Sequence, residues 1–302
     1  MTIKIASRSS KLALAQVEEF VSMCGISDYE IVRVKTEGDI RSARGETLFD
    51  KAHFVTDIQE CLNSGEADIA IHSAKDTPAS TPVDIRRYYL SSKTSKDVMI
   101  FRGNNKFDSK MRLGTSSLRR KLQALHFLKS SNVSALSGNI DTRLEKLYRG
   151  DYDCIILAKA GLERLGLLEG LNYQEMDWIT ASGQGTLAVE FNENREHCKI
   201  DTRDLKDIID DVLESGNYDI GVDFRIKEER VLLNLLDAGC NSAIAIEGSV
   251  SFGDDFKFSI NGEIYGKSEY ISFSGEYTLG AMVGASHEAW EDIKSKDGLK
   301  LL

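Results

Sequence analysis

Two stretches of this chain follow one pattern. Leu62-Asn-Ser-Gly65-Glu-Ala-Asp68-Ile-Ala-Ile71 and Leu147-Tyr-Arg-Gly150-Asp-Tyr-Asp153-Cys-Ile-Ile156 each close a helical segment at a glycine and open a short apolar run at an aspartate. A glycine just past a helix takes the left-handed position that other residues resist. A short apolar run without polar alternation reads as a strand covered on both faces, the kind that parallel sheets contain. A chain of such units folds as α/β. Two similar lobes facing a cleft would produce this echo, and so would αβ turns converging on shared turn chemistry; the sequence leaves both open.

The remaining pattern extends this order. Strands are expected at Thr2–Ala6, Ile31–Val34, Asp68–His72, Asp97–Phe101, Arg112–Gly114 and Asp153–Leu157. Helices are expected at Lys11–Cys24 (closed by Gly25), Val55–Leu62, Leu118–Leu128, Asp141–Tyr148 and around Leu162–Leu167. From about residue 220 the character changes. Lys227–Ala238 reads as a helix with a leucine face, followed by strands at Ile244–Val250 and within Phe256–Phe273, where Asn261-Gly262 signals a hairpin. This is a small α+β unit. Gly262-Glu-Ile-Tyr-Gly266-Lys267-Ser268 is one residue short of a phosphate-binding loop and lies in hairpin-like sequence, so it reads as a turn.

Composition narrows the class. With 41% apolar residues in 302, the chain can build two or three cores. Lys plus Arg (38) against Asp plus Glu (48) leaves a net charge of −10, which argues against a surface that coats nucleic acid. No apolar run is long enough to span a membrane, and the N-terminus lacks a signal-peptide core. The five cysteines, an odd number without Cys-x-x-Cys spacing, predict reduced thiols in a cytoplasmic protein and no metal centre.

In open α/β sheets ligands bind beyond the carboxyl ends of strands. Four places of that kind stand out. Ser7-Arg8-Ser9-Ser10 opens a helix, whose free N–H groups suit an anion; Ser9 or Ser10 as a plain N-cap explains the serines but not Arg8. His72-Ser73-Ala74-Lys75-Asp76-Thr77-Pro78 places Lys75 beside Asp76, able to hold an anion and a cation at neighbouring points, or to form a mere surface ion pair. His72 by itself reads as structural. Gly114-Thr-Ser-Ser-Leu-Arg-Arg-Lys121 sets three cations at a helix start, against the dipole, a cost that anion binding would explain. Gly239-Cys240-Asn241 follows a helix and is the best candidate for an exposed thiol.

These pieces, with Gly138-Asn-Ile-Asp-Thr-Arg-Leu144, Ala160-Gly-Leu-Glu-Arg-Leu-Gly166 and Gly183-Gln-Gly185, resemble the motifs of the porphobilinogen deaminase (hydroxymethylbilane synthase) family, in the family's order, over about four-fifths of the chain. The resemblance implies two periplasmic-binding-protein-like lobes with mixed sheets plus a small α+β C-terminal domain. Its expected boundaries are residues 1–91 with 184–211, then 92–183, then 220–302. It implies a monomeric transferase of haem biosynthesis. That transferase condenses four porphobilinogen molecules, with loss of ammonia, onto a dipyrromethane primer and hydrolyses the product. By match, the primer is joined to Cys240 through a thioether, and Asp76 is the catalytic carboxylate that stabilises positive charge on a pyrrole. Ser10, Ser73, Lys75, Ser117, Arg119, Arg120 and Arg143 match cofactor-binding positions. Arg8, Lys51, Arg143 and Arg164 match substrate-binding positions, with Lys51 on a lid near Ile40–Ala52.

The chain departs from the family pattern twice. Ser137 stands where an arginine usually precedes Gly-Asn, with Lys159 as the expected stand-in, and Asp50-Lys51-Ala52 replaces Gly-Lys-Gly. A carboxylate-binding sensor module and an inactive homologue remain as alternatives. In this reading Asp76 is the one carboxylate committed among the cleft cations, and the excess acid lies outside.

Overall fold

The computed structural model describes residues 2–43, 55–192, 194, 199–200, 203–204, 207, 220–238, 242–252, 256–278 and 284–302. The first sheet starts with β1 (Ile3–Arg8), α1 (Lys11–Met23) and β2 (Tyr29–Val34). After α2 (Glu37–Ala43) and α3 (Thr56–Ser64) come β3 (Ile69–Ser73), a 3-10 turn (Ala74–Asp76) and β4 (Ile85–Ser92). The second sheet comprises β5 (Asp97–Phe101), β6 (Leu113–Gly114), β7 (Val133–Ser134), β8 (Cys154–Ala158) and β9 (Tyr173–Glu175). Its helices are α4 (Leu118–Leu128), α5 (Ile140–Arg149) and α6 (Lys159–Arg164). The chain then returns to the first sheet as β10 (Thr186–Asn192), and β11 (Lys199–Ile200) pairs with β12 (Arg203–Asp204) as a short ribbon.

The strand orders resolve the sequence echo. The first sheet runs β2-β1-β3-β10-β4 and the second β7-β6-β8-β5-β9. In each, three parallel strands stand second-first-third, and an antiparallel strand follows the third. The echoed aspartates open β3 and β8, which hold the same place in the two sheets. Both sheets are therefore mixed, because the fourth strand of each arrives from the other lobe. The two crossing segments touch where Lys93 N–H donates to Gly185 O at 3.2 Å. A Cβ at Gly185 would sit 2.6 Å from Lys93 O, so the glycine is needed for that approach.

Alternation sorts the side chains. Ile3 and Ile5 pack with Val17, Phe20 and Val21 of α1, while Ala6 and Ala70 pack with Ile58 and Leu62 of α3 on the opposite face. The second sheet repeats this, with Val98, Ile100 and Ile155 toward α5, and Met99, Cys154 and Ile156 toward α4. Phe20 is fully buried, and its truncation to Ala would cost about 3–5 kcal/mol. Gly65 closes α3 and Gly150 closes α5, both left-handed, as the pattern predicts.

The last unit holds α7 (Ile220–Leu235), β13 (Ile244–Phe252), β14 (Phe256–Tyr265), β15 (Tyr270–Thr278) and α8 (Ala285–Ser295). The hairpin expected at Asn261-Gly262 is not there. β14 runs through both residues, and the reversal falls at Gly266, whose N–H donates to Glu269 O at 2.8 Å. Gly262 lies on the buried face, where a Cβ would meet the Phe273 ring at 2.2 Å and Ala245 O at 2.4 Å. The glycine serves a close sheet crossing instead of a turn. α7 is already helical at Ile220, ahead of the expected start at Lys227.

The sequence pattern predicts neither β4 nor β10. The reason is the charge inside them: Arg87 and Glu190 are buried in the sheet. Glu190 accepts from Arg87 Nε at 2.6 Å and from Gln59 Nε2 at 3.0 Å, and lies 3.2 Å from His72 Nε2. Burial alone would raise the Glu190 pKa, but His72, Arg87 and Gln59 together bring it down to about 2. His72 is thus structural, as its sequence context suggests.

Candidate active site

Both lobes present strand ends and helix starts to one cleft. From the first lobe come Arg8 at the end of β1, Ser10 as the N-cap of α1, Ser73 at the end of β3, and Lys75 and Asp76 in the turn beyond it. The second lobe contributes Ser117 as the N-cap of α4, Arg119 and Arg120 in its first turn, Arg143 on α5 and Arg164 at the end of α6. All ten line the same cleft. Lys51 and Cys240 lie outside the described residues, as does the lid beyond Ala43; Ile40–Ala43 belongs to α2.

The serines have local duties. Ser10 Oγ accepts from Ala13 N–H at 3.2 Å, and Ser117 Oγ from Arg120 N–H at 3.4 Å. Ser73 Oγ accepts from Gln16 Nε2 at 2.8 Å. The Ser73 hydroxyl also donates to Gln16 Oε1 at 3.3 Å, whereas the hydroxyl hydrogens of Ser10 and Ser117 can still donate to a ligand.

The cations are answered by more carboxylates than Asp76, which corrects the sequence reading. Asp97, the first residue of β5, is fully buried and meets Arg119 Nη2 at 3.0 Å and Arg120 Nη2 at 2.7 Å. The two arginines at the start of α4 therefore have an internal counter-ion, while Lys121 is exposed. Trp178 Nε1 and Gln184 Nε2 also donate to Asp97, at 3.1 Å and 2.8 Å. Burial would raise the Asp97 pKa, yet Arg120 and Arg119 hold it well below the usual carboxylate range. Arg8 donates through Nε to Asp39 at 3.1 Å. Arg164 reaches Glu19 of α1 at 2.7 Å and Gly185 O at 2.8 Å, so its guanidinium straps one lobe to the other.

Arg143 reports the field of the cleft. Its Nε donates to Gly138 O at 2.6 Å. Burial, then the like charges of Arg120 and Arg8, push its pKa down to about 10, and Asp76 pulls the other way. Arg119 Nε is buried without an acceptor among the described residues. Even with Asp39, Asp76 and Asp97 opposing Arg8, Lys75, Arg119, Arg120 and Arg143, the wall stays positive. Such a wall suits a ligand carrying several carboxylates.

The family model described as porphobilinogen deaminase, dipyromethane cofactor binding domain, matches residues 3–200. The chain belongs to the porphobilinogen deaminase family. The porphobilinogen deaminase of Nitratidesulfovibrio vulgaris (strain DP4) is 34% identical over 267 residues, covering 84% of this chain and 80% of that protein. Those of Bacillus cereus (strain AH820) and Alkaliphilus metalliredigens (strain QYMF) are 34% identical over 264 and 259 residues; they cover 83% and 82% of this chain, and 82% and 78% of their own lengths.

One expectation about the family pattern fails. Lys159 does not line the cleft and does not replace the arginine absent at Ser137. Its ammonium lies between Glu175 and Glu163, 3.8 Å from the latter. The cation that reaches Ser137 is Lys146, whose Nζ donates to Ser137 O at 3.1 Å and Oγ at 3.3 Å. Its position on α5, nine residues on, carries no sequence signal for that contact.

Proposed function

We propose that this chain, acting as a monomer in the cytoplasm, is a hydroxymethylbilane synthase that condenses porphobilinogen stepwise, and that Asp76 is its catalytic carboxylate. One observation carries the assignment: Asp76 stands in a cleft with the cations of both lobes, near enough to Arg143 to oppose its downward pKa shift. The cytoplasmic placement rests on Cys24, Cys61 and Cys154, all free thiols.

The residues present fit a dipyrromethane group, since two linked pyrroles bring four carboxylates to a wall with surplus guanidinium charge and a buried donor lacking an acceptor among the described residues. Ser10, Ser73, Lys75, Ser117, Arg119, Arg120 and Arg143 would hold it, and Cys240 would anchor it. When bound, that group supplies the pyrrole terminus to which the substrate is added.

The chain's own residues do the rest. Arg8, Lys51, Arg143 and Arg164 orient the acetate and propionate groups of porphobilinogen, which holds the reacting carbon in line. The Asp76 carboxylate stabilises the positive charge that develops on the substrate pyrrole as ammonia departs. Asp97 keeps Arg119 and Arg120 in fixed orientation, so little reorganisation accompanies binding.

Intact mass of the denatured protein tests this reading. An adduct of two pyrrole units, a positive Ehrlich reaction and consumption of porphobilinogen are expected, and Cys240→Ser removes all three. An unmodified chain that binds porphobilinogen without consuming it would refute the enzyme in favour of a sensor module.

A further inference from the structure

Helix α7 carries two stripes. Leu232 and Leu233, with Leu236 just past the helix end, pack beneath the third sheet with Phe258, Ile260 and Ile264. Val222 and Ile226 instead pack with Ala74, Tyr89 and Ala188 of the first lobe. Arg230 continues this second stripe at the next i+4 step and is buried at 6% exposure. Its Nη2 donates to Ala74 O at 2.6 Å and its Nη1 to Thr77 O at 3.0 Å. Those carbonyls bracket the 3-10 turn Ala74–Asp76.

The contact is built with care. Gly183, left-handed, lets the chain pass where a Cβ would lie 2.9 Å from Ala74 Cβ and 3.3 Å from Arg230 Nη2. Asp223, on the same helix, accepts from Tyr89 N–H of β4 at 2.8 Å. Arg87 Nη1 donates to the next carbonyl, Pro78 O, at 2.7 Å. Burying a guanidinium whose Nε has no acceptor among the described residues is costly, and an apolar residue would fill the position at less cost. What an apolar residue cannot do is grip two backbone carbonyls through charge-assisted bonds.

We propose that Arg230 is a positioning residue for Asp76: from a helix of the C-terminal unit it sets the place of the turn that carries the carboxylate. This rests on the Asp76 assignment above. A misplacement of the order of 1 Å costs roughly 100-fold in turnover. The groups assigned to substrate carboxylates sit outside this turn, so the loss falls on kcat and leaves KM close to that of the wild type.

The experiment compares Arg230→Met, Arg230→Lys, Asp76→Asn and a core control, Leu232→Ala, with kcat normalised to the fraction of adduct-bearing chain found by mass. Hydrogen exchange is followed in residues 73–80 and in the third sheet. Arg230→Met is expected to lower kcat by about 10- to 100-fold at near-constant KM and to speed exchange only in 73–80. Arg230→Lys recovers part of both. Leu232→Ala lowers thermal stability and leaves kcat and 73–80 exchange as they are. Wild-type kcat and turn protection in Arg230→Met overturn the proposal. So does a kcat loss that Leu232→Ala reproduces at equal destabilisation. An Asp76→Asn variant with undiminished kcat would instead overturn the Asp76 assignment itself, whatever Arg230→Met does.

Discussion

Asp97→Asn is the most informative single change in the cleft. Asp97 Oδ1 accepts from Arg120 Nε and Nη2 at 3.1 and 2.7 Å and from Gln184 Nε2 at 2.8 Å. Oδ2 accepts from Arg119 Nη2 at 3.0 Å and Trp178 Nε1 at 3.1 Å. Asparagine can keep its oxygen on the Oδ1 side, but its NH2 then faces two donors. Each stranded buried donor costs about 1–3 kcal/mol, or roughly 2–6 for both. Removing one partner of a buried ion cluster costs about 3–5 kcal/mol by itself, so the two estimates agree. Urea denaturation at pH 7 should therefore show a loss of about 3–5 kcal/mol with an unchanged m-value. The pH dependence follows from the depressed pKa. A carboxylate whose folded pKa lies below its unfolded value of about 3.9 contributes fully above that value, and its contribution fades as pH falls through the folded pKa. The wild type should lose this share below about pH 4, and the variant should lack that part of the acid limb. A loss under about 1 kcal/mol with the acid limb intact would refute the view that Asp97 is the counter-ion of Arg119 and Arg120.

Other outcomes follow from the same geometry. Lys159→Ala should leave KM and kcat for porphobilinogen within about twofold, because its ammonium is held by Glu175 and Glu163 outside the cleft; steady-state kinetics of the variant checks this. Gly262→Ala should destabilise the C-terminal unit by at least about 1–3 kcal/mol through overpacking against Phe273, measured by the thermal midpoint. Because Arg143 has its pKa lowered to about 10, its charge is complete below that pH and lost above it. Substrate KM should climb as pH rises through about 10, and a flat profile would refute the lowered pKa of Arg143.

Much of the fold is legible along the chain, and the reasons are local. The caps at Ser10 and Ser117 and the left-handed glycines 65 and 150 act within one helical turn. β5 and α4 match their expected bounds because apolar runs and helical spacing also act over a few residues. The candidate site is legible for a similar reason. Arg8 ends β1, Lys75 and Asp76 follow β3, and Arg119 lies in the first turn of the helix after β6, so finding the strand places the residue at the cleft. β4 and β10 stayed hidden because a buried glutamate reads as surface until Arg87 and His72 are known to lie beside it.

By itself, then, the sequence determined the α/β order, the strand ends that carry the cleft residues and the identity of the cations gathered there. Tertiary structure alone decided which carboxylate answers which cation. Asp97 stands 22 positions from Arg119, and Glu19 lies 145 positions from Arg164. It also decided that Asn261-Gly262 passes through a strand and that Arg230 grips the Asp76 turn, 156 positions before it in the case of Ala74. Charge pairing and close packing depend on distance in space, and nothing within a few residues of either partner encodes that distance.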